Sequence, residues 1–308
     1  MIRNATIAAI MVLCIAVAAT RLRPDIAANA LLGLYHWSAG LSKNHVDTNF
    51  GRISYLEGGE GPAIVFLHGI FARKEHWINM VRHMKQGHRV ILLDLPGFGE
   101  NAPLPAQQYD YAVQVTHIKS VLDQLGLQTF HLASNSMGSQ IAAQIATDWP
   151  MRVQSLALIG SPTGVDTPVK TPFQQARANG AISLVVSDRA SYDARNALLF
   201  LEKPYVPWAI EHIWVQSEIN RAEHHKTVWN VIQRSNVVPI QHIVPTLAQP
   251  VLILWCEQDQ IYHPSGLDVL LDLLPNGTGH MLQNCGHVPM LDQPKVTAQV
   301  YDRFLDTL

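Results

Sequence analysis

From about residue 50 to the C-terminus, short apolar runs alternate with longer stretches of helical periodicity. Ile53–Leu56, Ala63–Leu67, 89–94, 129–133, 154–160, 250–256 and 278–283 read as strands, most of them apolar at nearly every position rather than at every second one. Strands of that kind are buried on both faces, as in a parallel sheet covered by helices. Apolar residues recurring three and four apart predict helices over 74–85, 111–125, 137–148, 265–273 and 294–307. This order predicts an α/β domain with a mostly parallel, doubly covered sheet.

The alternation is interrupted once. Between 154–160 and 250–256 about ninety residues carry no strand pattern, and 188–201 and 208–232 read as helices punctuated by Pro204, Pro207, Pro239 and Pro245. We expect a helical cap at 162–248, inserted into a catalytic domain made of 49–161 and 249–308. Ligands of open α/β sheets bind outside the carboxyl ends of the strands, so the cap would roof that edge. Phe200, Trp208, Trp214 and Trp229 are candidates for the pocket wall, or for packing inside the cap.

The N-terminus has a different pattern. Arg3 precedes an uncharged, mostly apolar run, Ala5–Thr20, which Arg21 and Arg23 close. The run is short for a spanning helix and near the upper length of a signal-peptide core. Ala16-Val17-Ala18 offers a small-x-small cleavage pattern. Residues 1–24 therefore read as a signal or anchor segment, which predicts membrane association through the N-terminus, or export to the envelope or medium. A soluble amphipathic helix would leave the uncharged run unexplained. Residues 25–48 read as an amphipathic linker helix with Ile26, Ala30, Leu34, Trp37 and Leu41 on one face, lying on a bilayer or packed on the catalytic domain.

Composition narrows the class. The chain has 308 residues, 48% of them hydrophobic, enough for one large core. A formal net charge of -2 leaves no basic footprint for nucleic acid. There are no internal repeats or low-complexity tracts. Of the three cysteines, Cys14 lies in the leader, so at most Cys256 and Cys285 could pair. They read as two small buried thiols.

The chemistry centres on Ser134-Asn135-Ser136-Met137-Gly138, set between a strand and a helix. That is the layout of a nucleophile elbow, a sharp turn that lifts a serine hydroxyl clear of the sheet beside a helix N-terminus. The usual pattern is Gly-x-Ser-x-Gly, and Ser134 stands at the first glycine. A serine nucleophile needs a base, an orienting acid and oxyanion donors. His68-Gly69-Ile70-Phe71 follows strand 63–67 where an oxyanion loop belongs, so the backbone amides of Ile70 and Met137 are the candidate oxyanion hole. Asp259 lies just past strand 250–256, and His287 ends the loop after 278–283. Ser136, Asp259 and His287 occur in the order serine, acid, histidine. Asp166 is a rival acid. His68 reads as orienting the oxyanion loop, and Asp94, before Leu95-Pro96-Gly97-Phe98-Gly99, as a loop stabiliser. His224 and His225 are adjacent rather than four apart and read as solvent-facing, and no metal or cofactor is implied.

Taken together, His68-Gly69, Asp94-Leu95-Pro96-Gly97-Phe98-Gly99, Asn135-Ser136-Met137-Gly138, Asp259 and Gly286-His287-Val288-Pro289 make the chain resemble the α/β-hydrolase fold family, in its lipase and esterase branch. It is similar to bacterial lipases with an Asn-Ser-Met-Gly elbow and to membrane-anchored monoacylglycerol lipases of animals. Ser134 and Ser139 depart from glycines common at that elbow. The resemblance implies a carboxylic ester hydrolase acting on acylglycerols or related lipid esters. A carbon-carbon bond hydrolase of aromatic degradation shares the Asn-Ser-Met-Gly elbow, but needs no leader, and no charged cap residues for its dianionic substrate are evident. A non-catalytic binding protein on the same fold is the third reading, and it leaves the joint presence of serine, histidine and acid unexplained.

Overall fold

The computed structural model describes residues 20–308. Residues 1–19, most of the predicted leader, lie outside the described residues. One eight-stranded sheet runs through the molecule: β1 (Ser42–Thr48), β2 (Gly51–Gly58), β3 (Ala63–Leu67), β4 (Arg89–Leu93), β5 (Phe130–Ser134), β6 (Val153–Ile159), β7 (Val251–Cys256) and β8 (Gly277–Leu282). Its order is β1-β2-β4-β3-β5-β6-β7-β8. β1 and β2 form an antiparallel hairpin, and β2 is antiparallel to β4. The rest, from β4 to β8, pair in parallel.

The continuous apolar runs have their cause here. Every residue of β3 and β7 is buried. Val65, Leu67, Ile91 and Leu132 enter the core on one face, while Ile64, Phe66, Leu92 and Ala133 enter the core on the other. Alternate side chains of each strand thus feed opposite layers.

The longer helices are α1 (Pro24–Ser38), α2 (Tyr111–Gln124), α3 (Met137–Asp148), α4 (Pro172–Ala178), α5 (Arg189–Leu199), α6 (Trp208–Asn220), α7 (Ala222–Arg234), α8 (Gly266–Leu273) and α9 (Pro294–Leu305). α4 to α7 form the cap between β6 and β7. The expected cap helix 208–232 is two helices meeting at Arg221. The expected helix 74–85 is a 3-10 turn, Lys74–Trp77, followed by one short turn, Ile78–Val81.

The linker helix expected over 25–48 is also corrected. α1 ends at Ser38, Gly40 adopts a left-handed φ of 69°, and residues 42–48 pair along their whole length with β2. The stripe differs as well. α1 buries Ala28 and Leu32 with Ala209 and Ile210 of α6, and leaves Ile26, Leu34 and Trp37 exposed. Among the described residues, no helix is long and apolar enough to cross a membrane.

Candidate active site

Ser136 occupies the turn between β5 and α3 with φ 53° and ψ -117°, a conformation that costs a non-glycine residue free energy and persists only when its surroundings enforce it. The enforcement is visible on three sides. The Ser134 hydroxyl donates to the Ala157 carbonyl of β6 at 3.1 Å, which explains how a serine replaces the usual glycine. A Cβ at Gly138 would stand 2.5 Å from the Leu67 carbonyl oxygen and 2.6 Å from that of His68, so this glycine is required by close approach. The Asn135 amide donates to the Leu67 carbonyl, and its side-chain Nδ2 donates to the carbonyls of Ile159 (2.8 Å) and His287 (3.2 Å). Asn135 thereby braces the elbow against both β6 and the histidine loop.

The second half of the site is an acid and a base in contact. His287 Nδ1 lies 3.1 Å from Asp259 Oδ2 and 2.9 Å from Ser161 Oγ, and all three residues are buried. Asp259 Oδ1 accepts from the amides of Ile261 (2.8 Å) and Tyr262 (3.2 Å), which fixes the carboxylate so that Oδ2 faces the imidazole. Asp166, the rival acid, is exposed and paired with Lys170. The Ser136 hydroxyl is turned toward Thr163 Oγ1 at 3.3 Å rather than hydrogen-bonded to His287. The Thr163 amide also donates to the Ser136 carbonyl.

The loop 68–71, the candidate oxyanion loop, is held by buried polar groups. His68 Nδ1–H donates to the Gly69 carbonyl at 2.7 Å, and Nε2 accepts from the Leu95 amide at 3.0 Å, a neutral tautomer in keeping with burial that lowers its pKa. Asp94 accepts from the Lys74 amide, the Lys74 ammonium and the Glu100 amide. Burial works against the Lys74 charge, but the carboxylates of Asp94, Glu75 and Glu100 outweigh it and hold the ammonium above its usual range. Among the described residues, neither the Ile70 nor the Met137 amide donates to another group, and Met137 opens α3. Both are thus free to bind an oxygen.

Ser136, His287, Gly69 and Ile70 share the wall of one cavity of about 390 Å³. The cap contributes Phe200 and Trp214 to that wall, whereas Trp208 and Trp229 lie elsewhere. α1 contributes Leu31, Leu32 and Tyr35. Charged cap residues are present after all: Arg195, Lys203 and Glu218 line the cavity, though no helical periodicity announces them.

Residues 62–294 match the model of the alpha/beta hydrolase fold family. The chain belongs to that family. Among alpha/beta hydrolases it is 26% identical to Lipase 1 of Psychrobacter immobilis over 83% of this chain and 81% of that one. It is 26% identical to the monoacylglycerol lipase ABHD6 of Mus musculus, over 90% of this chain and 87% of that one. The solved structure of a membrane phospholipase A, described as a bacterial virulence factor, matches with a TM-score of 0.88 and 29% identity, covering 99% of this chain and 98% of that one.

Two expectations about this alpha/beta hydrolase are corrected by its structure. Cys256 and Cys285 are not free thiols but a buried disulfide with Cα atoms 5.4 Å apart. Register explains it: Cys256 ends β7 opposite Leu282, and the chain needs only three residues to bring Cys285 back alongside. His225 is buried and His224 half-buried, so the pair does not face solvent as a whole. α7 packs over the loop before α2, where His224 Nε2 meets the Tyr109 hydroxyl at 3.0 Å and His225 stacks on Phe71 at 4.6 Å. The sequence pattern gave Asn135 no role beyond its place in the elbow, and passed over Ser161 and Thr163. Ser161 and Thr163 lie in an irregular loop, and only their place immediately after a parallel strand could have marked them.

Proposed function

We propose that the chain hydrolyses carboxylic esters of acylglycerols or related lipids through an acyl-enzyme on Ser136. The observation that carries this reading is the strained serine at a helix N-terminus, in one cavity wall with a histidine whose Nδ1 is bound to a fixed carboxylate. The roles of Ser136, Asp259, His287, Ile70 and Met137 are our assignment. A turn about the Ser136 Cα–Cβ bond releases Thr163 and points Oγ at His287 Nε2. The imidazole takes the serine proton as Oγ attacks the ester carbonyl carbon, and Asp259 stabilises the imidazolium. The Ile70 and Met137 amides bind the tetrahedral oxyanion. Collapse breaks the ester C–O bond, and the alkoxide leaves with the proton from Nε2. Water, deprotonated by His287, then attacks the acyl-enzyme, and Ser136 departs with that proton to release the carboxylic acid.

The apolar walls of the cavity and the names of the relatives favour lipid esters. We place the catalytic domain at a membrane or outside the cytoplasm. The uncharged run at 5–20, the exposed Ile26, Leu34 and Trp37 of α1, and a structural disulfide, which persists in oxidising compartments, support this. Hydrolysis of p-nitrophenyl esters and acylglycerols across chain lengths, with Ser136→Ala as control, tests the assignment. The variant should lose hydrolysis by roughly a million-fold. Retained hydrolysis by Ser136→Ala would sink it.

A further inference from the structure

Phe71 is held in a conformation that its own backbone does not support. It is the third residue of the turn Gly69–Ala72, closed by the Ala72 amide on the Gly69 carbonyl at 3.3 Å, and its φ is 52°. Left-handed backbone at that place in a turn favours glycine or asparagine, and a bulky aromatic residue there is strained. The Gly69 carbonyl is tied twice, since it also accepts from His68 Nδ1–H, so the base of the turn is fixed. The tip is not: among the described residues, no backbone group of Phe71 makes a hydrogen bond.

The side chain supplies the hold. The buried Phe71 ring has two aromatic partners: Phe98, edge-on with centroids 6.1 Å apart, and His225, stacked at 4.6 Å with 29° between the planes. His225 belongs to α7 of the cap, which the neighbouring His224 fixes over the loop before α2 through the Tyr109 hydroxyl. His225 is itself buried, and burial lowers its pKa to about 4, so at pH 7 the ring stacks as a neutral aromatic. Phe71 lines the cavity that holds Ser136, and His225 does not. Whatever His225 contributes to the reaction therefore passes through Phe71.

We propose that His225 is a positioning residue for the oxyanion hole: its stack on Phe71 locks the turn in which the preceding residue, Ile70, presents its amide to the oxyanion. The proposal rests on the ester-hydrolase reading, in which that amide is a donor. Aromatic pairs of this geometry stabilise beyond the area they bury. A strained residue persists only while its surroundings enforce it, so loss of the stack lets Phe71 relax and carries the Ile70 amide off its aim. A displacement of about 1 Å in such a group costs up to roughly a hundredfold in rate. The cap thus reaches into the catalytic geometry through a residue that does not line the substrate cavity.

The test measures kcat and KM on a soluble p-nitrophenyl ester, and the Ki of an alkyl trifluoromethyl ketone, whose adduct on Ser136 carries the oxyanion. His225→Ala should lower kcat by roughly tenfold to a hundredfold with KM little changed, because an oxyanion hole acts on the transition state rather than on the bound ester. The Ki of the ketone should rise by the same factor. His225→Phe keeps an aromatic face and should hold both values within about twofold of wild type. The deciding arm is a cycle with Phe71→Gly, since glycine adopts the left-handed turn unaided. In that background His225→Ala should cost nothing further. Equal costs in both backgrounds overturn the proposal, as does a His225→Phe protein as impaired as His225→Ala, or a His225→Ala protein as active as wild type. If the alanine variant fails to fold, His225→Leu, which fills the space without a ring face, takes its place in each comparison. Wild-type protein inert on the ester overturns the ester-hydrolase reading itself, and the positioning role with it.

Discussion

Removing the Cys256–Cys285 bond by the double change Cys256→Ala/Cys285→Ala should cost both stability and turnover. The bond closes a loop of sequence separation 29. In the chain-entropy picture, that closure takes ~12 cal/mol/K from the unfolded ensemble, or about 3.6 kcal/mol at 25 °C. For a chain of this length the unfolding entropy is about 0.6 kcal/mol/K, so the melting midpoint should fall by about 6 °C. The effect on turnover comes from position. Cys256 is three residues before Asp259 and Cys285 two before His287, so the bond ties the loop of the acid to the loop of the base. If it holds the 3.1 Å contact of that pair, its loss should lower kcat by up to roughly a hundredfold, with a smaller change in KM. The assay is a double-mutant cycle with Asp259→Asn, scored by kcat and by thermal unfolding. The cysteine changes should cost kcat heavily in the wild-type background and little once Asp259 is gone. Equal costs in both backgrounds would refute positioning, and a midpoint shift under 2 °C would refute the entropic estimate.

Gly138→Ala should destabilise by about 1–3 kcal/mol, because the new Cβ overlaps two backbone carbonyls of the β3 end that cannot swing aside. It should lower kcat more than it raises KM, since the Met137 amide and the oxyanion loop are pushed apart; steady-state kinetics on a p-nitrophenyl ester checks this. Acid should destabilise the protein through its buried histidines. Burial lowers His76 to about 3, and His131 and His225 to about 4, whereas the unfolded chain takes up these protons near pH 6.5. Stability therefore rises with pH between about 4 and 6.5, and falls as pH drops through that window, each histidine adding at most about 1.4 kcal/mol per pH unit. Urea unfolding at pH 7.0, 5.5 and 4.5 should show the slope, and His225→Phe should flatten it; an unaltered slope would exclude His225 as a contributor.

How far the sequence can be read follows from where each signal resides. β3 and β7 are legible because burial on both faces leaves no polar position, and α3 because it must offer small residues to a strained turn. Ser136, Asp259 and His287, the residues proposed to act together, stand out because each follows a strand end, which is a local fact. β1 does not: Ser-Lys-Asn-His-Val-Asp-Thr has no apolar alternation, since an edge strand on a hairpin buries little, and its pairing with β2 makes it a strand. The disulfide was hidden for the opposite reason. Its partners are 29 positions apart in sequence, and only the parallel register of β7 with β8 brings them together. His225 looked exposed because the residue it stacks on, Phe71, belongs to a loop more than 150 residues earlier.

α1 shows how the N-terminal segment and the site become one object. Its Leu32 packs with Ile210 and lines the cavity, and Tyr35 lines it too while donating to Asn79 Oδ1 at 2.8 Å. On its other side Ile26, Leu34 and Trp37 face outward, apolar residues of the kind that settle at a bilayer surface. A single helix thus has one face turned to the substrate cavity and the other available to lipid. Were the helix held at a membrane, as proposed, the cavity would be positioned with it, because part of the cavity wall is the helix itself. The proposed hydrolysis of lipid esters at a membrane would use that registration, because the helix that builds part of the cavity wall also carries the exposed apolar residues.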